Sequence, residues 1–188
     1  MPLSPAAARH EIHHRVIDMK AYARDDGMYD VEAHLVDRKP FDAVIFGLSA
    51  PVPAGQPRHD LWVRLTVDDR FFVRDIEAVS DATPYAVCKE AASTLSKMVG
   101  VQIAAGWSTK VKERLRGSAS CTHLMEMLIP LATTAIQGIG GLNPEKKRSA
   151  VRPDGLPYKL DSCYAYGRSS DVVKMLWPQH FHAKPSAD

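Results

Sequence analysis

Between residues 28 and 37 apolar and polar side chains alternate strictly. Tyr29, Val31, Ala33 and Leu35 take one parity; Asp30, Glu32 and His34 take the other. Successive side chains of a strand point to opposite faces, so this pattern predicts a strand with one dry and one wet face. Residues 10–24 hold β-branched and aromatic positions (Ile12, Val16, Ile17, Tyr22) without a helical period. Asp25-Asp26-Gly27 between the two runs supplies the positive-φ position of a tight turn, which makes a hairpin. Further strands are predicted over 41–46, 60–67 and 71–79. In the second of these Leu61, Val63, Leu65 and Val67 face one way and Trp62, Arg64 and Thr66 the other, and Asp68-Asp69 turns the chain into the third.

The period then changes. Thr83-Pro84 has the form of a cap and first helical residue, Cys88, Ala92, Leu95 and Val99 make an apolar stripe, and Gly100 ends it. Gly106-Trp107-Ser108 leads into a short basic helix over 109–116. A longer helix follows Gly117 to about Gly138, with Leu124, Leu128, Leu131 and Ala135 on one side and a kink expected at Pro130. Residues 140–157 read as a polar loop, 158–166 as a last strand, and a short helix capped by Ser169 or Ser170 stops at Pro178. Strands followed by helices predict an α+β fold: a curved antiparallel sheet packed on two main helices. The expected organisation is a frayed segment 1–9, one domain over 10–178 and a tail over 179–188.

Composition changes this picture little. With 188 residues, 45% hydrophobic and 24% charged, the chain can bury one good-sized core. A net charge of +2, with Lys and Arg dispersed, speaks against a nucleic-acid or membrane partner, and Lys146-Lys147-Arg148 reads as a solvated face. Residues 1–9 lack the apolar core of a signal peptide, and no run approaches the ~18 residues of a membrane span. Three dispersed cysteines, Cys88, Cys121 and Cys163, fit a reducing cytoplasm better than a disulfide framework.

Candidate chemistry falls at four places. Asp30, Glu32 and His34 share one strand face, where neighbouring carboxylates raise one another's pKa; the same spacing also suits a plain wet face. Cys121 and His123 stand at the start of the long helix, whose free N–H groups favour a thiolate or an anion. Residues two apart do not share a helical face, so joint action requires Cys121 to precede the regular helix. Asp161 and Cys163 face the same way on the predicted last strand, and with Cys121 and His123 would make a zinc set, although no CxxC or HExxH spacing supports it. His59 and Asp60 begin a strand, where adjacent side chains diverge. Arg15, Arg24, Arg64 and Tyr22 are candidates for holding a substrate carboxylate, and Trp62 and Trp107 for lining its pocket. His180-x-His182 is discounted, and Gly138-x-Gly140-Gly141 lacks the context of a phosphate loop.

Taken together, Tyr22-x-Arg24-x-Asp26-Gly27-x-x-Asp30-x-Glu32, His59-Asp60-x-Trp62-x-Arg64-Leu65-Thr66, Gly106-Trp107, Cys121-Thr122-His123-Leu124 and Asp161-x-Cys163 resemble a bacterial family, domain of unknown function 2889. The resemblance runs from about Arg15 to Pro178. Ser120 stands where it implies glycine, and Tyr164 where it implies histidine. It implies a cytoplasmic protein associated with catabolic enzymes. The expected function is a small-molecule enzyme without an organic cofactor, most readily a lyase cleaving C–C or C–O bonds in a retro-aldol manner, with hydrolysis or isomerisation as alternatives. Asp30 or Glu32 would be the base, His59 or His123 the acid, and Arg64 the oxyanion holder. A metal- or sulfur-binding module using Cys121, His123 and Cys163 is the competing class. A homodimer is expected under either.

Overall fold

The hairpin forms where the alternation predicts it. In the computed structural model, which describes residues 3–142, 151, 152 and 154–183, β1 (His14–Ala23) and β2 (Tyr29–Arg38) pair antiparallel. Gly27 turns the chain with φ +81°, and Asp26 accepts the Met28 N–H at 3.1 Å. β3 (Pro57–Val67) and β4 (Val73–Ala82) extend the sheet in the order β1-β2-β3-β4, antiparallel throughout. Between β3 and β4 the Asp68 carboxylate accepts the N–H groups of Arg70 and Phe72 at 2.9 Å each, and Phe71 takes φ +65°. That turn delays β4 to Val73.

Residues 41–46 do not form the predicted strand. They contribute one isolated bridge, Ala43 to Val52, and Phe46 is 93% exposed. A strand needs a free edge to pair with. β2 and β3, which flank this apolar run in the sequence, are the two interior strands of the sheet, so neither offers it one.

On the dry face Val31, Ala33, Leu35, Leu61, Val63, Leu65 and Val67 are essentially inaccessible. The helical segments cover them. The first, Ala86–Met98, is a 3-10 helix rather than the α-helix predicted. Ser93, Thr94 and Ser96 each return a hydroxyl bond to the carbonyl three residues back, which suits a three-residue turn. Its buried pair is Leu95 and Met98, also three apart, while Val99 is exposed; the stripe predicted from a 3.6-residue period is thereby corrected. Then come α1 (Trp107–Leu115) and α2 (Thr122–Leu142), the latter continuous through Pro130. Leu124, Leu128 and Leu131 are fully buried, each contributing about 1.5–3 kcal/mol.

α2 lies along β1. Arg15 Nη1 is 3.9 Å from Glu126, Thr134 Oγ1 is 3.6 Å from the Met19 sulfur, and Gly138 faces Ala21. The lengths match: the strand advances about 20 Å from Arg15 to Ala21, and the helix about 18 Å from Glu126 to Gly138. At Gly138 an added Cβ would stand 2.7 Å from the Ala21 Cβ. Gly138→Ala therefore destabilises by about 1 kcal/mol, overpacking outweighing the helix propensity gained. Pairing it with Ala21→Gly recovers the loss. Urea denaturation measures both, and an undiminished midpoint for Gly138→Ala would contradict the close approach.

The chain divides into two compact units, Met1–Gly141 and Leu142–Asp188. In the second, residues 158–166 form turns and a 3-10 helix (Tyr164–Tyr166) instead of a strand. Asp161 adopts φ +61°, and its N–H donates to the Tyr166 carbonyl at 2.9 Å, folding the segment back on itself. The short helix α3 (Asp171–Leu176) is capped as predicted: the Ser170 hydroxyl accepts the Val173 N–H at 3.2 Å. The run Lys146-Lys147-Arg148 lies outside the described residues. No helix among the described residues is long and apolar enough to cross a membrane.

Candidate functional site

The parity that buries Val31, Ala33 and Leu35 continues to Asp37, and the parity of Leu61, Val63 and Leu65 runs back to His59. Both polar residues therefore point to the helix side of the sheet. They are register partners across β2 and β3, and Arg15 is the partner of Asp37 across β1. A charged row, Arg15–Asp37–His59, thus terminates the apolar face at the end of the sheet away from the Gly27 turn.

Asp37 is 2% exposed and fully engaged. Arg15 donates to it twice, Nε to Oδ1 and Nη2 to Oδ2, both at 2.7 Å. His59 Nδ1 lies 3.0 Å from Oδ2, and His13 Nε2 lies 3.2 Å from Oδ1. An ionised carboxylate only accepts, so His59 carries its proton on Nδ1 and, when neutral, has its lone pair on Nε2. Burial pushes the Asp37 carboxyl up, but the Arg15 bonds and the neighbouring cationic groups outweigh it and hold the pKa at about 2. His59 is shifted down, first by burial and then by His123, against the pull of Asp37.

α2 brings the other half. Cys121 stands immediately before the helix, its carbonyl accepting the Met125 N–H at 2.9 Å, so it and His123 escape the spacing that would separate them within a helix. The Cys121 sulfur is 3.9 Å from His123 Nδ1, and the His123 ring lies 4.0 Å from that of His59, tilted 36°. Burial raises the Cys121 thiol. The hydrogen bond to His123 and the N–H groups of Leu124 and His123 pull it further the other way, so the net shift is downward.

Asp30 and Glu32 are not among these groups. They lie on the opposite, wet face, with β2 between them and the helices. Thr66 donates to Asp30 at 2.8 Å, and Arg64 ties Glu32 at 2.8 Å to Glu77 at 3.0 Å. His34 joins them, paired to Asp60 at 2.6 Å and stacked on Trp62 at 3.6 Å. His59 and Asp60 diverge as adjacent strand residues must. Tyr22 and Arg24 belong to the wet side as well, Tyr22 in register with Asp30 and Arg24 bonded to it at 3.3 Å. Trp62, Arg64, Glu32, Glu77 and Val79 line a shallow depression of about 200 Å³ there, remote from the histidine cluster. Trp107, expected to line a pocket, is instead a core residue, 4% exposed, with its indole N–H donating to the Leu128 carbonyl at 2.8 Å. Asp161 and Cys163 belong to the second unit, where Asp161 pairs with Arg168 at 2.9 Å and Cys163 is exposed.

Asp37, then, is the member that motif reading passed over, and Arg15, expected to hold a substrate carboxylate, is instead engaged by it. The signal was present in the alternation: a carboxylate on the dry parity of a strand needs a buried partner. One donor atom each from Asp37, His59 and His123 lie within 4.8 Å of one another.

Fold and site define an α+β protein that carries an Asp–His–His–Cys cluster between one end of its sheet and the start of a helix. It belongs to the family described as "Protein of unknown function (DUF2889)", whose model matches residues 13–137, about two thirds of the chain and the whole cluster. Neither the curated proteins nor the solved structures contain a match.

Proposed function

We propose that the chain is a small-molecule enzyme of catabolic metabolism, a lyase working by proton transfer without an organic cofactor. The observation that carries the reading is the 3.0 Å bond from His59 to a buried, Arg15-clamped Asp37. A base is useful when its tautomer and orientation are held, and this bond holds both. In a retro-aldol cleavage His59 takes the proton of a substrate hydroxyl. The oxygen's electrons form the new carbonyl, the C–C bond breaks, and the carbanion it leaves takes a proton from His123 or Cys121. Asp37 stays ionised and steadies the imidazolium. Hydrolysis is the second reading, favoured by one observation: a half-buried thiol 3.9 Å from His123, with its pKa drawn down, has the makings of a nucleophile.

Mass balance separates these reactions. Purified protein is incubated with a small-molecule extract of its host and followed by mass spectrometry. A lyase consumes one species and yields two whose masses sum to the parent; a hydrolase yields a sum one water heavier; an isomerase leaves mass unchanged. His59→Gln should lose the consumption and Glu32→Gln should keep it. No consumption by the native protein, or equal consumption by His59→Gln, would sink the reading.

A further inference from the structure

We propose that Asp37, His59 and His123 form a site for one divalent transition-metal ion, with the Cys121 sulfur as a fourth donor. The proposal rests on the catalytic reading in one respect: the ion regulates that same site. An ion held at His59 Nδ1 beside Asp37 displaces that proton, and the neutral ring then carries its one N–H on Nε2, so His59 cannot hold an ion and abstract a proton at once, and occupancy is inhibitory.

Four features of the cluster support it. The donor atoms of the three residues already lie within 4.8 Å of one another, although they come from β2, β3 and the first turn of α2. Bond lengths near 2.0–2.2 Å place tetrahedral donors about 3.4 Å apart, so the widest of these separations shrinks by at most about 1.4 Å, within reach of side-chain rotation. The donor types, two imidazoles, a carboxylate and a thiol, suit zinc, cobalt or iron(II) and not the oxygen-seeking magnesium and calcium. The outer shell is built: Arg15 fixes the Asp37 carboxylate through two 2.7 Å bonds, and ligands fixed in this way hold metal more tightly. His13, at 3.2 Å and 40% exposed, is the most weakly held of Asp37's partners, and its departure frees a carboxylate lone pair. Finally, the carboxylates of Asp37 and Glu126 outnumber the one guanidinium between them, Arg15, so a dication enters without net repulsion.

Cobalt(II) titration of the metal-free full chain, read by visible absorption, tests the site. One equivalent should give the ligand-field bands of a four- or five-coordinate ion together with a sulfur-to-cobalt band in the near ultraviolet. Cys121→Ser should remove the sulfur band and keep the ligand-field bands; Cys163→Ser should change neither. His59→Gln and His123→Gln should each weaken binding at least tenfold, with circular dichroism confirming that the variants fold. His123, at the half-exposed helix start, provides the test if His59→Gln does not. Absence of saturable bands, or bands indifferent to His123→Gln, overturns the ion site. That failure is distinct from failure of the catalytic reading, because the titration needs no substrate and the mass-balance assay is run on metal-free protein.

Discussion

Replacing Trp107 with alanine lowers stability by roughly 3–5 kcal/mol, the range for deleting a large buried aromatic side chain. Trp107 is the first residue of α1 and is packed in the core, and its indole N–H reaches across to the Leu128 carbonyl at 2.8 Å within α2. The substitution therefore opens a cavity and removes a buried hydrogen bond together. Trp107→Phe keeps most of the apolar volume and loses the bond, so it falls between alanine and the native protein. Thermal denaturation should show a fall on the order of 10 °C for Trp107→Ala. A loss below about 1 kcal/mol would mean that the side chain is free to line a substrate pocket, the role expected for it from the sequence, and does not hold the two helices together.

Asp37→Asn removes a pH-dependent share of stability. The carboxyl titrates at about 2 in the folded protein against an ordinary value of 3.8. A depressed carboxyl pKa means that the stabilisation is complete above the unfolded value and is lost as pH falls from 3.8 towards 2. That interval is worth roughly 2 kcal/mol, a ceiling because Arg15 is partly exposed to solvent. Asparagine has no charge to lose, so the native protein's advantage over the variant should be full at pH 5 and should shrink steadily below pH 4. Parallel stability curves for the two proteins across that range would dismiss the Arg15–Asp37 clamp as a stabilising element. Asp37→Asn also loosens His59, so the mass-balance assay should slow with it at pH 7.

Much of the fold was legible because its signals are local. Alternation marked β2 and β3, Gly27 marked the hairpin turn, Asp68 the next turn, and the hydroxyl of Ser170 the last helix. The failures were non-local. Residues 41–46 have the composition of a strand, but the strands that flank them, β2 and β3, are both interior to the sheet. The 86–98 segment has a helical composition, and only its contacts chose between a three-residue and a 3.6-residue turn.

For the site the division is sharper. The sequence by itself determined the cast at the helix start, Cys121 and His123, and the parity of residues 29–35 on β2 and 61–67 on β3. It could not determine which residues would stand opposite that helix start. Asp30 and Glu32 make a conspicuous acidic pair, yet their parity is that of the wet face. Asp37 and His59 look like the fraying ends of two strands until the register sets them side by side, with Arg15 beyond. Only the tertiary structure decided this, because register and helix docking are settled by the burial of Val31, Ala33, Leu35, Leu61, Val63 and Leu65 in one core with the helical segments, and the polar row at the end of that face is carried into place by the apolar residues behind it.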